Sequence, residues 1–208
     1  MARLSQSFYL GDTVEIAKNL LGCYLVRVYE GEYLVGRIVE TEAYVGRCDK
    51  ACHAYQYHRT PRTTPLFGPP GMAYIYFIYG MYHCLNFVTE PENEPAAVLL
   101  RAVEPVGGLD TMWRLRYGEK ALRHSAYQVK NFMNGPGKLC KGFSLSTAQN
   151  NMDLTGNELF VCTDLADVGL PCSTPPGEEL LRAGSRIGVD YAEEAKDFPW
   201  RFWLERAV

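Results

Sequence analysis

Two strand-like runs, Cys23–Tyr29 and Tyr33–Thr41, are separated only by Glu30-Gly31-Glu32. So short a connection cannot carry the crossover that parallel strands need, so the runs should pair as an antiparallel hairpin. The pattern recurs downstream, where Tyr74–Ile78 and His83–Thr89 flank Gly80 and a nearly continuous apolar strand, Ala96–Val103, follows. Helical periodicity is confined to a few segments. Asp12 stands three residues before Glu15 in capping-box spacing, Val14, Ala17, Leu20 and Leu21 make an apolar face, and Gly22 ends the helix. A second helical stretch runs from Leu109 to about Phe132, in two pieces broken near Gly118, and a short helix is expected after Gly135-Pro136-Gly137. The tail returns to strand-like runs at Leu159–Thr163, Ser185–Val189 and Arg201–Leu204, and residues 45–71 are loop-rich. With no linker long enough to divide the 208 residues, the expectation is one α+β domain over 1–208, with a mainly antiparallel sheet and surrounding helices.

No stretch approaches the ~20 apolar residues that span a bilayer, and the N-terminal residues lack the charged-then-apolar pattern of a secretory leader. Seven cysteines, an odd number without a framework of spacings, point the same way, to a cytoplasmic protein without a disulfide scaffold. The net charge of −3 is segregated: residues 1–50, 51–109, 110–152 and 153–208 carry −1, −1, +5 and −6. The basic third quarter could face a polyanion, or could simply be a solvated helix pair.

Several constellations could carry chemistry. Period-two geometry puts Glu40, Glu42 and Tyr44 on one strand face, together with Leu34 and Ile38. Carboxylates on such a face belong either to a strand end fraying into solvent or to a site. Arg101 interrupts the apolar run Ala96–Val103, so it either snorkels to water or is buried against a carboxylate; Glu40 and Glu42 are the strand-borne candidates upstream. A Glu paired in this way would stay ionised at neutral pH, as a base that activates water requires.

Tyr74, Tyr76, Phe77, Tyr79, Tyr82 and Phe87 crowd the second hairpin. Most should pack on the sheet, but Tyr79 beside the turn could stack on a nucleobase, a contact worth about 1–3 kcal/mol. Two registers are open. A two-residue turn at Gly80-Met81 opposes Tyr76 to Leu85, and a three-residue loop over 80–82 opposes Tyr76 to Asn86. Cys48, Cys52 and His53 offer metal-ligand chemistry without a second pair at zinc-site spacing. Gly135-Pro136-Gly137-Lys138 opens a helix without Walker spacing, so it suits a backbone phosphate or a plain loop.

Taken together, Val39-Glu40-Thr41-Glu42-Ala43-Tyr44, His53, Thr60-Pro61-Arg62, Tyr74–Tyr82, Cys84-Leu85-Asn86, Val98–Ala102, Glu104-Pro105, Gly135-Pro136, Lys138-Leu139-Cys140 and Arg186-Ile187-Gly188 closely resemble the alkyladenine (3-methyladenine) DNA glycosylase family. These motifs span almost the whole chain in the family's order. The resemblance implies a curved sheet and a protruding hairpin that inserts into DNA. It implies Glu42 as the base that activates water, with Arg101 and the Ile187 carbonyl holding that water. Tyr44 and His53 would sandwich an extruded base, Tyr76 would close the pocket edge-on, and Leu99 would complete the base-binding set. Asn86 would crowd guanine's exocyclic amine, Tyr79 would fill the gap in the duplex, and Arg59, Arg62, Gly137 and Lys138 would meet phosphate. The acidic loop Glu90–Pro95 departs mildly from a DNA-binding surface.

The function so implied is excision of damaged purines from double-stranded DNA: either the charged 3-methyladenine and 7-methylguanine only, or neutral hypoxanthine and ethenoadenine as well. It needs no cofactor or metal, and a wedge-and-flip enzyme can act as a monomer. No lysine matches an amine-nucleophile role, so the enzyme would be monofunctional and leave an abasic site. It would be cytoplasmic, and nucleoid-associated when bound. The rival readings are a non-catalytic sensor of damaged bases and a thiol-zinc enzyme on Cys48, Cys52 and His53.

Overall fold

The computed structural model describes residues 3–119, 125–170 and 178–207. The short helices α1 (Gln6–Tyr9) and α2 (Thr13–Asn19) open the chain, and Asp12 caps α2 by accepting the Glu15 N–H at 3.0 Å. Strand β1 (Tyr24–Tyr29) then turns into β2 (Glu32–Val45). Tyr29 pairs with Glu32, so the turn is Glu30-Gly31, both left-handed with φ of 51° and 83°. That is the backbone of a type I′ hairpin, which Gly31 makes accessible. Strands β3 (Ala73–Ile78), β4 (Tyr82–Val88) and β5 (Ala96–Gly107) follow, then α3 (Leu109–Tyr117), α4 (Ala126–Lys130) and α5 (Pro136–Gly142). Strands β6 (Leu159–Cys162), β7 (Glu179–Gly184) and β8 (Arg201–Arg206) complete the chain.

Among the described residues, eight strands form one open sheet, antiparallel at every pairing, in the order β3-β4-β5-β2-β1-β6, with β8 joined to β2 and β7 joined to β8. The α+β expectation therefore holds. Helix α3 stops at Tyr117 because Gly118 turns away at φ 88°, and part of the helical stretch expected up to Phe132 lies outside the described residues. The main core, with Leu25, Leu34, Ile38, Leu85, Phe87 and Leu100 from the sheet, packs against Ile16 and Ala17 of α2, Met112 of α3 and Leu139 of α5. Burial of each such large side chain contributes about 1.5–3 kcal/mol. Among the described residues, no helix is long and apolar enough to cross a membrane.

The tail differs from expectation. Residues Ser185–Val189 are not a strand; the strand there is β7, which ends at Gly184. Gly188 is left-handed at φ 78°, and the Ile187 N–H is taken by a carboxylate instead of a neighbouring strand. The hairpin register also differs. Tyr76 faces Cys84 and Ile78 faces Tyr82, so neither proposed loop occurs; the loop is Tyr79-Gly80-Met81. Tyr79 itself takes the left-handed conformation (φ 54°), as Gly80 does beside it (φ 69°).

Candidate active site

Two irregularities in the β2–β5 pairing aim the charged groups of the site. Val39 is an extra residue on β2 between the pairs Ile38–Val103 and Glu40–Ala102, and Arg101 is an extra residue on β5 between Ala102 and Leu100. A one-residue bulge reverses the face on which later side chains fall. Ile38 therefore shares the main core with Ala43, and Thr41 Oγ1 donates to the Ala17 carbonyl at 2.8 Å. Glu42 and Tyr44 turn to the other side, with Glu40 alongside them against Arg101. The expectation that Leu34 and Ile38 share a face with these three residues fails for that reason.

The conjectured pairing of Arg101 is present. Its Nε–H donates to Glu40 Oε1 at 3.0 Å, and its Nη1 lies 3.3 Å from Glu42 Oε1. Arg201 of β8 also reaches Glu40 Oε1, at 3.2 Å. Burial works against the Arg101 charge, but the carboxylates of Glu42 and Glu40 outweigh it and hold its pKa above the ordinary value. Glu42 is wholly buried. Its Oε1 accepts the Ile187 N–H at 2.8 Å, and its Oε2 accepts the Tyr44 hydroxyl at 2.7 Å. Burial, and then the Glu42 charge, push the Tyr44 phenol well above its usual range, so it remains a donor.

A cavity of about 540 Å³ opens in front of this group, within the size range of small-molecule sites. Tyr44, Leu99, Arg101 and Ile187 border it on the Glu42 side, His53, Tyr76 and Asn86 line its wall, and Tyr79, Gly137 and Lys138 stand at its margin. Glu42 is not on the wall; it sits immediately behind Tyr44, Arg101 and Ile187, all three of which contact its carboxylate. The rings of His53 and Tyr76 meet edge-on, with centroids 4.6 Å apart and planes at 75°. His53 Nδ1 is 3.1 Å from the Tyr74 hydroxyl. Burial, assisted by the nearby Arg62 charge, lowers the His53 pKa to about 4, so the ring is neutral at pH 7. Asn86 is buried and fixed, its Nδ2 donating to the carbonyls of Tyr74 (3.0 Å) and Cys84 (3.3 Å).

The margin of the cavity is exposed and aromatic. Tyr79 is 80% exposed while holding a left-handed backbone, a conformation that costs an ordinary residue about 1–2 kcal/mol. Phe77, Met81 and Tyr82 are exposed beside it. A profile described as methylpurine-DNA glycosylase (MPG) matches residues 7–207. The chain belongs to the methylpurine-DNA glycosylase family. Three similar proteins each carry the name "Putative 3-methyladenine DNA glycosylase". That from Alkaliphilus oremlandii is 46% identical over 98% of this chain and 96% of its own. That from Clostridioides difficile is 43% identical over 97% and 100%, and that from Bacillus cytotoxicus 45% over 95% and 94%.

Most residues expected of a methylpurine-DNA glycosylase site from the sequence meet at this one cavity. Arg59 and Arg62 do not border it: Arg62 lies over the Tyr76 ring at 5.0 Å and Arg59 over Phe67 at 4.8 Å. Gly137 has a packing role besides any contact with DNA, since a Cβ there would come within 2.8 Å of Tyr82 Cδ1. Lys138 Nζ is held by the side-chain oxygens of Asn134 (2.7 Å) and Asn131 (3.0 Å), and burial with the nearby Arg116 lowers its pKa. The acidic loop is partly neutralised: Glu90 is buried against Arg47 and Thr13, and Glu94 accepts from Tyr57. His53 is committed to the cavity wall, and among the described residues no three His, Cys, Asp or Glu side chains come together as metal ligands.

Sequence reasoning gave no role to Arg116, which borders the cavity beside Lys138, or to the buried pair Arg186–Asp49 behind Tyr44. The signal for Arg186 was available. It is an arginine within a run of small and apolar residues, as Arg101 is.

Proposed function

We propose that this chain extrudes alkylated purines, above all 3-methyladenine and 7-methylguanine, from duplex DNA into the aromatic cavity and hydrolyses their N-glycosidic bonds. The observation that carries this reading is the position of Glu42: a buried carboxylate, charge-matched by Arg101, directly behind a base-sized aromatic cavity. Extrusion costs a few kcal/mol, least for damaged and poorly paired nucleotides. Tyr79 offsets part of that cost by stacking in the vacated space. Tyr44 and His53 then offer ring faces to a purine whose alkylation has made it a cation, which aromatic faces attract. A neutral His53 is what such a guest requires.

In the chemical step, the water oxygen bonds to C1′ as its proton passes to Glu42, and the glycosidic electron pair leaves with the purine. A cationic purine departs neutral without a proton donor, whereas hypoxanthine and ethenoadenine need one and form a second tier of substrates. Arg101 and Ile187 touch Glu42 and also border the cavity, so they mark the approach for water. A base of this kind contributes about 10²–10⁴-fold. Lys138, Gly137, Arg59 and Arg62 are assigned to DNA phosphates, and Asn86 to exclusion of guanine's exocyclic amine. The enzyme is monofunctional and acts as a cytoplasmic monomer without metal or cofactor.

The test is release of free base from duplexes containing 3-methyladenine or 7-methylguanine. Release is expected, and specific binding without release would make the protein a damage sensor instead. Borohydride is expected to trap no covalent imine with the DNA; a trapped adduct would overturn the monofunctional assignment.

A further inference from the structure

Behind Tyr44, on the side away from the cavity, lies a charge pair that the reaction does not use. The side chains of Arg186 and Asp49 are both wholly buried. Arg186 Nη1–H donates to Asp49 Oδ2 at 2.5 Å and to the Ala43 carbonyl at 2.8 Å, and Nη2–H donates to Asp49 Oδ1 at 2.8 Å and to the Ala195 carbonyl at 2.9 Å. Asp49 is held further by the N–H groups of Ala51 (2.9 Å) and Val45 (3.4 Å). The guanidinium lies over the Tyr44 ring, 4.7 Å from its centroid, and over the Trp200 ring at 5.3 Å. Tyr44 lines the cavity and Arg186 does not, so the tyrosine ring separates the guanidinium from whatever occupies the cavity.

This arrangement poses an electrostatic problem. A bare guanidinium behind Tyr44 would repel a positively charged base in front of it and would weaken the ring's negative face toward that guest. Within the cluster behind Tyr44 and around Glu42 the charges balance, Arg101, Arg186 and Arg201 being matched by Glu40, Glu42 and Asp49, while Arg62, Arg116 and Lys138 stand elsewhere around the cavity. We propose that Asp49 is a specificity-determining residue, which cancels the Arg186 charge behind Tyr44 and so keeps the cavity open to cationic bases. This rests on the reading that an extruded purine stacks on Tyr44, and it adds a residue to that reading.

The size of the effect follows from distance. A base stacked on the free face of Tyr44 would lie about 8 Å from the guanidinium, and one uncompensated charge there, at an effective dielectric of about 20, corresponds to a roughly thirty-fold penalty on a cationic guest. A neutral guest of similar shape escapes that penalty. A purely structural role for the pair would weaken both guests alike.

The experiment measures equilibrium binding of duplexes containing 7-methylguanine, a cation, or ethenoadenine, which is neutral, each relative to an undamaged duplex. A 2′-fluorine on the lesion's sugar prevents cleavage. Asp49→Asn is expected to lose about thirty-fold in preference for 7-methylguanine over ethenoadenine, and the double variant Asp49→Asn, Arg186→Gln to recover the wild-type preference. An unchanged ratio in Asp49→Asn, or a shift that persists in the double variant, overturns the proposal. Should Asp49→Asn fail to fold, Arg186→Gln carries the test with the sign reversed: its bare carboxylate should favour the cation at pH 6.5, where 7-methylguanine keeps its N1 proton and hence its charge, and an unchanged ratio there overturns the proposal. Wild-type protein that prefers neither lesion over undamaged DNA would instead remove the proposed function itself.

Discussion

Acidification is expected to destabilise the fold through His53 in a way that reports on the cavity wall. Burial, with Arg62 nearby, lowers its folded pKa to about 4, whereas a free imidazole titrates near ~6.5. The unfolded chain therefore takes the proton first. The stability contributed by a neutral His53 is complete above about pH 6.5 and is lost as the pH falls towards 4. Linkage sets the loss at about 2 kcal/mol by pH 5 and about 3 kcal/mol at pH 4. For a domain of this size, 2 kcal/mol corresponds to a fall of about 4–8 °C in Tm. Other groups also titrate, so the measured quantity is the Tm difference between wild type and His53→Gln. That difference should shrink by this amount between pH 7.5 and pH 5. A gap that stays constant, or an NMR titration of His53 near 6.5, would refute the picture of a desolvated neutral ring beside Tyr76. It would also remove the reason for a cationic purine to be welcome there.

Other perturbations separate the parts of the site. Tyr79→Ala should weaken binding to lesion duplexes by about 5- to 150-fold, the value of one stacking contact, and leave thermal stability unchanged, because the lost ring is exposed and alanine keeps the Cβ that strains the left-handed backbone. A loss of stability would assign Tyr79 to packing instead. Lys138→Ala should weaken binding to all duplexes and flatten the log–log salt dependence by about one unit, read by titration between low and moderate salt; an unchanged slope would mean that Lys138 meets no phosphate. Arg101→Gln leaves Glu42 buried without its cation, so denaturant unfolding should show a loss of about 3 kcal/mol, with slower base release alongside. Wild-type stability in that variant would show the pair to be dispensable.

Local chemistry was legible in the chain wherever one short segment decides the outcome. The Asp12 cap, a hairpin between β1 and β2 and a short helix at Gly135-Pro136-Gly137 all follow from neighbouring residues, although the turn closes over Glu30-Gly31 alone, with Glu32 already in β2, and α5 begins at Pro136. The pairing of Arg101 with Glu40 and Glu42 was also readable, because a buried guanidinium needs a carboxylate and few were available. Register was not. The bulges at Val39 and Arg101 depend on how β2 fits between β5 on one side and β1 and β8 on the other, and period-two counting on β2 alone cannot reveal an inserted residue. The same limit applies to Tyr79, whose left-handed backbone runs against its own propensity. The Arg186–Asp49 pair joins segments far apart in sequence, so only the folded chain brings its members together behind Tyr44.

The central claim is that Glu42 drives hydrolysis of a base held in the adjoining cavity. Glu42→Gln keeps an oxygen for the Ile187 N–H and leaves Arg101 paired with Glu40, so the fold and the cavity should survive. Single-turnover release of 7-methylguanine from a duplex is the direct measurement, with binding of the same duplex measured in parallel. Release slowed by about 10²–10⁴-fold with binding retained is the expected result, and release within a few-fold of wild type would contradict it.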